Sequence, residues 1–120
     1  MPDSPLALAI DRYLQYLRAE ENKSTLTVDA YRQSLRHLES LMGVSDPMSI
    51  NKQSVRVYKS SLHSYRTAQK REYSVRSKNH HLTILRAFLR YLIQEEEMNV
   101  YPPDRIRRFT DEHFNIRPFQ

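Results

Sequence analysis

Apolar side chains recur every three or four residues along most of this chain, and glycine occurs once in its 120 residues, at Gly43. That spacing is the period of one helix face, whereas a half-buried strand alternates every second residue. Alternating runs of strand length are hard to find, and the tight turns that join strands ordinarily draw on glycine. The chain is therefore expected to be all-α. Its length suits one domain with a modest core.

Four helices can be placed from their caps and stripes. Ser4 before Pro5 is a helix start, with a capping hydroxyl and a proline at the first helical position. Leu6, Ile10, Tyr13, Leu14 and Leu17 form that helix's inner face, which fades in Glu20-Glu21-Asn22-Lys23. Ser24 caps a second helix carrying Val28, Tyr31, Leu35, Leu38 and Met42, and Gly43 sits where a left-handed C-terminal residue is wanted. Residues 44–50, with Asp46-Pro47, read as a loop. Asn51 caps a third helix with Val55, Tyr58, Leu62 and Tyr65 inward, and Gln69 to Tyr73 reads as a turn. The fourth helix runs from Ser74 to about Glu95. The outline is a compact bundle of four to five helices over residues 1–103. After Tyr101-Pro102-Pro103 the pattern breaks. Residues 104–120, with Arg105, Arg107 and Arg108, read as either a linker or a docking tail, with room for a short helix around Arg105 to Phe114.

The fourth helix has two chemical faces. Leu82, Leu85, Phe88, Leu89 and Leu92 gather on one side and require a core. Arg76, Asn79, Thr83, Arg86 and Arg90 fall on the other, a row of guanidinium, amide and hydroxyl groups suited to phosphate oxygens and base edges. Charge supports the same reading. The formal net charge is +5, but residues 1–51 hold five Lys/Arg against seven Asp/Glu, and residues 52–110 hold thirteen against five. A basic half is the footprint of a polyanion binder, although ordinary solubility charge gives a similar excess. The polar row tips the balance toward nucleic acid. With no cysteine, neither a disulfide framework nor a thiolate metal site is available. No membrane span or signal pattern is apparent, and a cytoplasmic protein without cofactor is expected.

Arg76, Lys78, Asn79, Arg86 and Arg90 are the leading candidates for DNA contact. Arginine pairs bidentately with guanine and asparagine with adenine. Arg90 has an alternative in Gln94 or Glu97, a turn further along. Thr83 either touches a phosphate or thymine methyl or bonds back to its own helix. His80 and His81 do not form a metal pair, because adjacent helical residues diverge by about 100° and no third ligand lies at helical spacing. Lys23, Ser24, Thr25 and Thr27 surround the free N–H groups of the second helix, a phosphate seat that also serves as a cap. Arg32 and Arg36 lie toward the outer side of that helix. Tyr31, Tyr58, Tyr65 and Tyr91 fall on apolar stripes and are read as core. Lys52, Arg56, Lys59, Lys70 and Arg71 add diffuse attraction. Glu95-Glu96-Glu97 stands where the helix macrodipole disfavours anions, and it either keeps that end off DNA or faces a neighbouring subunit.

Two stretches carry a family resemblance. Ser24, Thr27, Tyr31 and Leu35 follow Ser-x-x-Thr-x-x-x-Tyr-x-x-x-Leu. Ser77, His80, His81, Leu82, Leu85, Arg86, Phe88, Leu89, Tyr91 and Leu92 keep the register of Thr-x-x-Arg-Arg-Leu-x-x-Leu-Arg-x-Phe-Tyr-x-Tyr-Leu. Over roughly residues 6–103 the chain resembles the N-terminal core-binding, SAM-like domain of tyrosine recombinases, the phage-integrase and Xer-type enzymes. Serine stands for the usual threonine at position 77, leucine for a frequent aromatic at 89, and His80 and His81 for arginines, which weakens fixed-charge contact and makes it pH-sensitive.

The resemblance implies one arm of a clamp on duplex DNA at a recombination core site, its second and fourth helices facing the major groove. It further implies a separate catalytic domain and neighbouring subunits in a tetramer. His63-Ser64-Tyr65-Arg66 matches a catalytic His-x-x-Arg, but it lies at the end of the third helix without the rest of the catalytic set. The expectation is DNA binding without chemistry in this chain. Two rivals are a helical protein-interaction module with a basic face for an acidic partner and a stand-alone helix-turn-helix factor. The lack of a short glycine-bearing turn between the third and fourth helices counts against the latter.

Overall fold

The computed structural model describes residues 3–65 and 71–110. These hold five α-helices: α1 (Pro5–Ala19), α2 (Thr25–Leu35), α3 (Leu38–Met42), α4 (Lys52–Ser64) and α5 (Val75–Glu95). Short 3-10 turns occupy Pro47–Ser49 and Pro103–Arg105, and no strand occurs among the described residues. The expected all-α bundle is what forms.

Each major helix starts at a side chain that satisfies a free backbone donor. The Ser4 hydroxyl accepts from the Ala7 N–H at 3.0 Å, and that of Ser74 accepts from the Ser77 N–H at 3.1 Å. Ser24 does the same for Thr27 at 3.2 Å. Asn51 and Ser54 make a reciprocal box, each accepting from the other's backbone N–H at 2.8 Å. Gly43 ends α3 at φ 76°, the left-handed conformation that a side chain resists.

The second expected helix is broken. Arg36 and His37 separate α2 from α3, although Leu35, Leu38 and Met42 all remain buried. The break coincides with a change of partner, because α2 lies against α1 and α5 whereas α3 lies against α4. One straight rod could not serve both.

α5 is the spine. Leu82, Leu85, Phe88, Leu89 and Leu92 have no exposed surface and meet Leu6, Leu38 and Leu62 in one core. Burial of this order contributes about 1.5–3 kcal/mol per large apolar side chain. Past its end, Glu97 takes a left-handed φ of 55°, and the Met98 N–H returns to the Leu92 carbonyl at 3.0 Å. Glu96 finds a role within the fold. It accepts two hydrogen bonds from Arg12, both at 2.8 Å, and one from the Tyr91 hydroxyl at 2.5 Å. These donors hold its carboxyl below the usual carboxylate range.

Residues 104–109 then run back along α5. Ile106 is 2% exposed and belongs to the core, so the core extends past the boundary expected at residue 103. No helix covers 106–110; the remainder of the short helix expected there lies outside the described residues. Tyr65 ends α4 rather than lining it, half-buried and stacked on Tyr73 at 5.1 Å.

Candidate nucleic-acid interface

From Tyr73 to Gln94 the chain carries no acidic residue, and α5 occupies almost all of that stretch. Arg76, His80, Thr83 and Arg90 are exposed along it, with half-buried Ala87 between them. At about 1.5 Å rise per residue this line is about 21 Å long.

The line is rotated from the one expected. Asn79 and Lys78 do not point outward; they are 8% and 7% exposed. The strap of residues 104–109 covers them. Asn79 donates from Nδ2 to the Phe109 carbonyl at 3.1 Å and accepts the Phe109 N–H at 2.6 Å, spending its amide on the backbone of one residue. The Lys78 ammonium lies 3.2 Å from His63 Nδ1 and 4.8 Å from the Phe109 ring centre. Neither side chain is free to read a base. Arg86 is half-buried, and its Nε is shut from solvent without a hydrogen-bond partner. His80, itself a candidate for DNA contact, is on the outward line, and Ala87 joins it there in place of Asn79 and Lys78.

Arg90 stays accessible. The carboxylate that approaches it is Asp104, at a loose 3.7 Å and itself 89% exposed, rather than Glu97. Around Arg90, Lys23 and Tyr31 join Ala87, Tyr91 and Gln94 in lining a shallow groove of about 310 Å³, which Glu21 and Glu95 also border. The start of α2 therefore lies beside the second half of α5. At that start Lys23, Ser24 and Thr25 are exposed, and Thr27 is half-buried with its hydroxyl accepting from Ser24 at 3.1 Å.

The other α2 candidates face elsewhere. Ser34 contacts α5 through His81, whereas Arg32 and Arg36 lie about 160° around the helix from Ser34. Arg32 pairs with Asp29 at 2.6 Å and borders Asp11 and Gln15 of α1. Arg36 flanks α3 and the turn at Gly43. The tyrosines serve packing. Tyr13 lies 5.0 to 6.2 Å from the rings of Tyr31, Phe88 and Tyr91, and Tyr58 is fully buried. Arg66 of the His-x-x-Arg string and Lys70 fall outside the described residues. Among the described residues no helix is long and apolar enough to cross a membrane.

The bundle brings the exposed line of α5 beside the start of α2. The family model for the N-terminal SAM-like domain of phage integrases matches residues 10–96, and the chain belongs to that family. It is 32% identical over 93 residues to the tyrosine recombinase XerC of Oceanobacillus iheyensis, covering 75% of this chain and 28% of that relative. No solved structure gives a significant match. The chain thus corresponds to the N-terminal SAM-like part of that family and spans about a quarter of the relative's length.

Proposed function

We propose that this chain binds duplex DNA as the core-binding arm of a tyrosine recombinase. Arg76, His80, Thr83 and Arg90 of α5 meet the major groove, and Lys23, Ser24 and Thr25 at the start of α2 hold a phosphate. Residues 104–120 connect the arm to a catalytic domain elsewhere in the parent protein, which works in the cytoplasm as a tetramer on a specific core site. The observation that carries the reading is the exposed, acid-free line of α5. A phosphate backbone rewards one sign of charge along such a line, and the carboxylates Glu21 and Glu95 border it only at the Arg90 end.

Salt titration of binding to a labelled duplex tests it. Affinity should fall with salt by about 0.9 log units per log unit for each phosphate neutralised. Arg76→Ala with Arg90→Ala should lower that slope by about two. Absence of duplex binding even at low salt would defeat the reading and leave an acidic protein partner.

A further inference from the structure

A second set of cations converges away from the α5 line. Lys52, Arg56 and Lys59 recur at helical spacing on α4 and share a groove of about 590 Å³ with Arg105 and Arg107 of the strap. Among the described residues Asp104 is the only carboxylate lining it, and it is nearly fully exposed. The strap holds the wall in place. Lys59 donates from Nζ to the Arg107 carbonyl at 2.8 Å and stands 4.8 Å from the centre of the Phe109 ring. Five like charges around one concavity repel one another in the free protein, and a bound polyanion relieves that repulsion.

We propose that this groove seats the phosphodiester backbone of the same DNA, flanking the segment met by α5. The placement rests on the reading of α5 as a DNA face. The two surfaces share a border, because Asp104 lines the groove and also lies 3.7 Å from Arg90. One polyanion can therefore cross both. Charge density favours a duplex over an acidic peptide: DNA carries a charge per about 1.7 Å, an extended peptide at most one per about 3.3 Å. The three arginines supply planar forks that match phosphate oxygens. Among the described residues lining the groove, Asp104 is the anion, and it opposes binding.

The test uses the whole chain and a labelled duplex of about three helical turns. The variants are Lys52→Ala/Arg56→Ala/Arg105→Ala, Asp104→Asn and Arg76→Ala/Arg90→Ala, all at exposed positions. The triple variant should lower the salt slope by about 2.7 if each cation meets one phosphate, with its thermal midpoint unchanged. Asp104→Asn should tighten binding several-fold. An unaltered slope in the triple variant, with binding lost in Arg76→Ala/Arg90→Ala, overturns the groove and keeps the α5 face. The reverse pattern keeps the groove and overturns the α5 face. If the unaltered chain binds no duplex at low salt, both fall. Displacement of the duplex by poly-glutamate at equal charge concentration overturns the groove in favour of an acidic protein segment.

Discussion

His81 sits at the junction of α2 and α5, its Nδ1 2.7 Å from the Ser34 hydroxyl and its ring 5.0 Å from that of Tyr73. Burial, then the nearby His80 and His37, hold its pKa below the ordinary histidine value of 6.5. The unfolded chain therefore binds this proton more readily than the folded one, so His81 contributes stability above about pH 6.5 that is lost on acidification. The thermal midpoint should fall between pH 7.5 and 5, and His81→Gln, which retains a group able to bond Ser34, should flatten that decline. An identical decline in the variant would place the titration elsewhere. Asn79 shows where single-residue reading reaches its limit. Its spacing beside Arg76 and Arg86 suggests a base reader, but its partner is the backbone of a residue thirty positions away, which no side-chain pattern announces. The capping residues Ser4, Ser24 and Asn51 were legible because a cap and its donor lie within three residues.

The strap is the element that most changes the site. Two hydrogen bonds join it to Asn79, each contributing about 0.5–1.5 kcal/mol. Asn79→Ala should free residues 104–109 more often, raising tryptic cleavage at the exposed Arg107 and Arg108 by about tenfold on that scale. Cleavage at the unaltered rate would mean that Ile106 and the lysines around Phe109 suffice to hold it. Ile106 and Phe109, three apart among arginines, are the faint sequence sign of this docking. The interruption of the second helix was hidden for a related reason. Leu35, Leu38 and Met42 keep helical spacing across it, and what changes is the neighbour against which they lie.

At the scale of the molecule, the periodic stripes of α1, α4 and α5 account for most of the core, so the bundle was legible in outline. What they could not reveal is that closing the core requires residues beyond the last long helix. A chain ending at Pro103 loses Ile106 from the interior and should be less stable than the full chain by about 1.5–3 kcal/mol, read from its urea midpoint. The direction of the strap has a mechanical corollary. Because Asp104 lies by Arg90 and Phe109 by Asn79, the backbone doubles back about 16 Å along α5 before position 110. Whatever follows is tethered beside the opening turns of that helix, and its leash is measured from there rather than from the far tip.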